Sequence, residues 1–255
     1  MFDTRGMTVS SGSVPSLERL RVLAADVAPV TLAAERTLPV LDGLGGLVPG
    51  GALVRGSTVA VVGHGHGATA LALALAAGPS AAGSWVAAVG VPSLGLAAAA
   101  EVGVALHRLA VIAEPPPDTW ATVMASLVGS VDVVLSADPH RAGANATALR
   151  RLAARQRERG TVHLVLGARP AAAAAADVVL TVRSAVWQGL GDGHGTLRAR
   201  QVEVEVSGRR GAHRPRTVPL WLPAVGGGVE PVPRLVAVEP VTTGVPPAGH
   251  LADSA

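Results

Sequence analysis

The stretch Ser57-Thr58-Val59-Ala60-Val61-Val62-Gly63-His64-Gly65-His66-Gly67-Ala68-Thr69, continued by Ala70-Leu71-Ala72-Leu73-Ala74-Leu75-Ala76-Ala77, decides how this chain is read. Ser57 to Val62 has the composition of a buried strand, Gly63 to Gly67 forms a glycine turn, and an apolar helix opens near Ala68. A strand, a glycine turn and a helix N-terminus together make an anion cradle of backbone N–H groups. Phosphate-binding loops of the form G-x-x-x-x-G-K-[ST] add a lysine that reaches the outer phosphates. Here Ala68 stands in the lysine's place, with Thr69 after it, and Val62 occupies the slot of the first glycine. The chain contains no lysine at all: each of its 21 basic residues is Arg. The sequence keeps the scaffold of a nucleotide site and lacks its principal charge. Gly63, Gly65, Gly67 and Thr69 are the candidates for a vestigial phosphate loop.

Working outward, strands and helices alternate. Trp85–Val89, Leu109–Ala113, Val131–Ser136, Val162–Leu166 and Asp177–Val182 read as strands. Leu94–Leu106, Asp118–Val128 and Ala144–Arg159 read as helices, with Asp118 as a plausible N-cap and Gly160 closing the last. Such alternation predicts a doubly wound, mainly parallel α/β sheet. From Leu197 the period changes to two. Leu197–Val206 and Arg216–Leu222, joined around Gly208-Arg209-Arg210-Gly211, predict a C-terminal antiparallel hairpin. Residues 1–14 are expected to be a disordered lead, Pro15–Asp26 a short amphipathic helix, 15–223 the core, and 224–255 a flexible Pro/Gly-rich tail.

The composition narrows the function classes. The 255 residues suffice for one α/β domain with tails. Zero Cys excludes disulfides and thiolate metal sites. Gly56–Ala100 carries no Asp, Glu or Arg, but the glycine turn and Gly78-Pro79-Ser80 divide it into pieces too short to span a bilayer. No secretory signal is visible in Met1–Ser13, so a cytoplasmic location is expected. The net charge of +3 says little about nucleic acid, and local distribution matters more.

His64 and His66 lack the further ligands that a zinc site needs, and no metal is expected. Ser84, Ser93 and Ser136 have no G-x-S-x-G elbow. Gly189-Leu190-Gly191-Asp192-Gly193 lacks the strand before it and the helix after it that dinucleotide binding needs, and reads as a loop. Two arginine groups stand out. Arg150, Arg151, Arg155, Arg157 and Arg159 share one helix with only Glu158 to offset them. Arg198, Arg200, Arg209, Arg210, Arg214 and Arg216 decorate the terminal hairpin between Trp187 and Trp221. Either group could be a solvated face or a contact for phosphate or an acidic partner, and the hairpin is the better candidate for a partner or DNA contact.

The segment Leu41-Asp42-Gly43-Leu44-Gly45-Gly46-Leu47-Val48-Pro49-Gly50-Gly51, followed by the strand, glycine turn and Ala/Leu helix, resembles the start of the RecA ATPase core. Trp85–Pro92 resembles that core's second strand, Glu101–Val104 its segment before the third, Val131–Leu135 its Walker B strand, and the 198–222 hairpin its closing strands. By this resemblance Pro92 stands where the catalytic glutamate belongs, Gly90 where the acid before it belongs, and Gly167-Ala168 where the γ-phosphate sensor pair belongs. Asp138 lies past the Walker B strand, displaced by Ser136-Ala137. Positioning and electrostatics supply nearly all of phosphoryl-transfer catalysis, so no useful ATP turnover is expected. Residual nucleotide or anion binding is the most the loop would retain, with no other cofactor.

Within that superfamily, the eroded site, the Pro/Gly-rich tail and Trp187-Gln188-Gly189-Leu190-Gly191-Asp192-Gly193-His194-Gly195-Thr196-Leu197-Arg198-Ala199-Arg200 resemble the ImuA-type accessory proteins of damage-induced mutagenesis. The resemblance implies a DNA-damage (SOS) role in translesion synthesis, alongside a Y-family polymerase-like protein and an error-prone replicative polymerase, with weak DNA binding and nucleoid association as further expectations. Two alternatives stay open: a divergent ATPase using Arg55 or a partner's arginine in place of lysine, and a RecA-like regulator of cell division.

Overall fold

The computed structural model of the chain describes residues 36–63, 67–167, 170–191, 194–209 and 214–233. A short hairpin, β1 (Thr37–Pro39) and β2 (Ala52–Val54), encloses a 3-10 segment at Asp42–Leu47. The main body then runs β3 (Thr58–Val62), α1 (Ala68–Ala81), β4 (Val86–Val89), α2 (Leu96–Glu101), β5 (Leu109–Ile112), α3 (Pro117–Leu127), β6 (Val133–Ala137), α4 (Ala146–Arg159), β7 (Val162–Leu166), α5 (Pro170–Ala175) and β8 (Val178–Gly191). It ends in β9 (His194–Gly208), β10 (Arg216–Trp221) and β11 (Glu230–Pro231).

These form a nine-stranded sheet in the order β5-β4-β6-β7-β3-β8-β9-β10-β11. The six strands from β5 to β8 are parallel, and β9, β10 and β11 close the sheet antiparallel. A mainly parallel α/β sheet with an antiparallel C-terminal end is as the sequence implies. Burial follows the pleat. Val59, Val61, Val133, Leu135, Val162 and Leu164 face α1, while Ala60, Val134 and Val165 face the α3–α5 side.

α1 is buried nearly all round, from Leu71 to Ser80, which is why its sequence has no polar face. The expected break at Gly78-Pro79-Ser80 lies inside its last turn. Gly78 is there for packing, since a Cβ would come within 2.7 Å of the Pro39 carbonyl oxygen and Val40 Cα in the β1–β2 connection. α4 opens on Asn145, whose side chain accepts the Ala148 N–H at 2.9 Å, and closes on Gly160 at φ 72°. α3 begins a residue earlier than its sequence suggests. Pro117 takes the first helical position, so Asp118 lies in the first turn and makes no N-cap bond.

Two further expectations are corrected. Gly189–Gly191 are not loop but the end of β8, which pairs with β9 as far as Gly191 opposite His194. The alternation of β8 is hidden by register shifts at Val182/Ser184 and Gln188/Leu190. The chain also stays on the sheet past Pro223: β11 pairs with Leu220 and Trp221, and Val229 packs so closely on Gly43 that a Cβ there would meet the Val229 carbonyl oxygen at 2.9 Å. A two-residue strand has no periodicity to read. The expected helix at 15–26 and the stretches 1–14 and 234–255 lie outside the described residues. Among the described residues, no helix is long and apolar enough to cross a membrane.

Candidate functional site

β3 carries the chain through the middle of the sheet, and the glycine turn leaves its C-terminal end towards α1. This is the edge of a parallel sheet where ligands generally bind. Gly63 at φ 154° passes so close to β8 that a Cβ would approach Val182 Cβ at 3.1 Å. Gly67 at φ 95° is the N-cap of α1, and its carbonyl accepts the Leu71 N–H at 3.0 Å. Ala68 is buried where a phosphate-binding lysine would project, and Thr69 is half-buried in the first helical turn. Gly65, with His64 and His66, lies outside the described residues.

The structure joins the two groups that the sequence kept apart. Arg200 of β9 lies against Gly67, where a Cβ would sit 2.8 Å from its Cζ and Nη2. The Arg200 Nε donates to the Leu222 carbonyl at 2.7 Å, and its guanidinium stacks 4.9 Å from the Trp187 ring centroid. Burial pushes its pKa down from the ordinary arginine value, and the guanidinium stays charged at neutral pH. A cation at the positive end of α1 makes the turn a concentrated positive pole. Nothing in the local sequence announces this. The pairing of Trp187 with Arg200 in the β8–β9 register creates it.

Arg209 and Arg216 are bound elsewhere. Arg209 donates its Nε to the Ala176 carbonyl at 3.4 Å and its Nη2 to Ala175. Arg216 donates to the Gly46 carbonyl at 2.9 Å. Arg198 and Arg214 are exposed, and Arg210 lies outside the described residues. Among the described residues, Arg200, Arg209 and Arg216 are thus tethers to backbone carbonyls of different segments. Arg55 cannot replace the lysine either. It precedes β3 at the opposite end from the turn, paired with Asp132 at 3.0 Å.

The positions that the RecA resemblance empties are built as turns. Gly90 after β4 has φ 63° and Gly167 after β7 has φ 69°, conformations that suit glycine. Asp138 is buried after β6, and its Oδ1 accepts the His140 N–H at 3.0 Å. That carboxylate serves a turn. Among the described residues, no group of three or more His, Cys, Asp or Glu could hold a metal ion.

Sequence reading missed one buried pair. His163 Nε2 and Ser136 Oγ are 2.8 Å apart, and the Ser136 hydroxyl donates to the Ala137 carbonyl at 2.9 Å. With the serine proton so directed, the bonding pattern assigns the proton on Nε2 to His163, which donates to Ser136. Desolvation by burial lowers the His163 pKa from 6.5 to about 4, so the ring is neutral. The pair has the spacing of a nucleophile and base, but both residues are buried on the α4 side of the sheet, away from the turn, and the serine's proton points at the backbone. It is a structural cross-link between β6 and β7. The signal in sequence is a polar residue in each of two otherwise apolar strands.

Residues 46–171 match the family model described as the MT3502 N-terminal domain, and this stretch is similar to that family. The match spans β2 through the start of α5, with the glycine turn inside it, and stops before the antiparallel strands. Comparison with curated proteins finds no match to the chain.

Proposed function

We propose that the chain is a non-catalytic RecA-fold adaptor of the DNA-damage response, acting in translesion, mutagenic DNA synthesis through protein contacts with a Y-family polymerase-like partner, and with DNA as a secondary contact. The observation that carries the non-catalytic part is the β3–α1 turn itself. Its sequence has the glycines of a phosphate loop, with buried Ala68 at the lysine position and no lysine anywhere in the chain. Pro92 and Gly167 lie beyond β4 and β7, where the RecA resemblance calls for a glutamate and a γ-phosphate sensor. A parallel sheet with the turn at its central strand and antiparallel closing strands supports the RecA part of the reading. The polymerase-accessory part rests on the resemblance of Trp187–Arg200 to the ImuA-type proteins.

The test is a titration of the full chain with labelled ATP and single-stranded DNA, a Mg-dependent hydrolysis assay, and co-purification with a Y-family polymerase-like protein. Hydrolysis at the no-protein background and stable co-purification are expected. Mg-dependent turnover that disappears in Thr69→Ala would overturn the reading.

A second reading is favoured by one observation, the Arg200 guanidinium over Gly67. On this reading the turn is a divergent nucleotide or anion site whose cation comes from β9 and not from the loop. Saturable ATP binding that weakens about tenfold or more in Arg200→Ala would support it, the loss expected when a charged hydrogen-bonding partner is removed.

A further inference from the structure

α3 and α4 lie side by side on the sheet face opposite α1, and between them runs a groove of about 450 Å³. Its floor is the buried Trp120 ring and Leu152, and its walls are small residues, Ala121 and Ala125 of α3 and Ala148 and Ala154 of α4. Arg151 and Arg155, one helical turn apart, stand along the α4 side, with Glu158 the one carboxylate in the lining. The volume lies in the usual range for binding pockets.

The charge in this groove is unspent. Arg151, Arg155, Arg157 and Arg159 make no hydrogen bond or ion pair with the described residues, whereas Arg200, Arg209 and Arg216 of the hairpin are each tied to a backbone carbonyl. Arg155 is also held in place: its Nη2 lies over Gly129, where a Cβ would come within 3.1 Å, at the negative end of α3. α4 carries five arginines against one glutamate, and α3 adds only Asp118. An apolar floor with cations on one side fits an element that is apolar on one face and acidic along one edge.

We propose that the α3–α4 groove is a docking site for an acidic amphipathic helix of a partner protein, its apolar face on Trp120 and Leu152 and its carboxylates on Arg151 and Arg155. Alanine walls let a second helix approach closely, and guanidinium forks engage carboxylates bidentately. The apolar floor favours a peptide over a nucleic-acid backbone, whose phosphates and sugars gain nothing from an apolar trough. The inference stands apart from the state of the nucleotide turn and from the pathway in which the protein acts.

The experiment uses the full chain and a labelled synthetic helix of about four turns, leucines on one face and glutamates beside them, read by fluorescence anisotropy. A scrambled peptide of the same composition and a single-stranded oligonucleotide are the competitors. Saturable, salt-sensitive binding of the amphipathic peptide is expected, with the scrambled peptide at least about tenfold weaker because its apolar residues no longer share a face. Arg151→Glu with Arg155→Glu should weaken the peptide at least about tenfold through like-charge contact. Arg150→Glu with Arg159→Glu, the same change of charge off the groove, should shift it less than about threefold, the residue of screened long-range attraction. Ala125→Trp, which fills the trough without changing charge, should also abolish binding. All three variants alter exposed or half-buried positions, and unchanged thermal midpoints check that they fold. Equal binding of the two peptides, equal losses in the two charge-reversal pairs, an oligonucleotide that alone responds to Arg151 and Arg155, or loss of self-association in place of peptide binding would each overturn the proposal.

Discussion

At the scale of single residues, His163 and Gln156 carry the sharpest consequences. His163 is held neutral by burial, with a pKa lowered to about 4, while the unfolded chain titrates near 6.5. Between these values the unfolded state binds the extra proton, so acidification favours unfolding there. Its contribution is fully present above pH 6.5, declines as pH falls towards 4, and amounts to about 3 kcal/mol across the window. Urea midpoints measured from pH 7 to pH 4 should fall, and part of that slope should vanish in His163→Asn. An unchanged slope would mean that His163 charges freely inside the fold. Gln156 is buried beside His163 at a cavity of about 100 Å³, and its Nε2 meets no hydrogen-bond partner among the described residues. A donor left unsatisfied costs about 1–3 kcal/mol. Gln156→Met keeps the volume and removes the donor, so it should raise stability by about 1 kcal/mol in the same urea assay. His163 and Gln156 stand as ordinary letters in the sequence, and only their burial makes them notable.

At the scale of elements, α1 shows where propensity and packing part company. Gly→Ala inside a helix ordinarily gains up to about 1 kcal/mol. At Gly78 the new methyl would meet backbone of the β1–β2 connection at 2.7 Å, and backbone cannot swing aside. Gly78→Ala is expected to destabilise by about 2 kcal/mol, within the range for overpacking, as read by thermal or urea unfolding. A stabilised variant would show that the α1–hairpin contact is looser than its geometry. The same comparison explains which elements were legible. β3, β7 and α4 follow from composition and period, because each presents one unbroken pattern along the chain. β8 beyond Val182 was not legible, since two register shifts break its alternation and its pairing with β9 is what keeps it extended. The glycine turn was readable as a turn. Its neighbour Arg200 was not, because the two are joined through a strand pairing and not through the chain.

At the scale of the whole molecule, the antiparallel strands close the sheet, and the final pairing of β11 ties the C-terminal side to the 3-10 segment at Asp42–Leu47 through Val229 and Gly43. A chain ending at Pro223 loses the β11 pairing, buried Ala224 and the Val229 contact. Its unfolding free energy should drop by about 2–3 kcal/mol, the cost of one buried aliphatic side chain and its neighbours, measured by urea unfolding. Retention of full stability would mark 224–233 as an appendage. The order of strands and helices, the glycine turn with its missing lysine, and the excess of arginine on α4 are properties of the sequence alone, because each depends on residues close along the chain. Which arginines are tethered and which are free, the placement of Arg200 over Gly67, the neutral His163 and the groove between α3 and α4 were decided by tertiary structure. Those features depend on what burial and strand pairing bring together from distant parts of the chain, and no local pattern encodes that meeting.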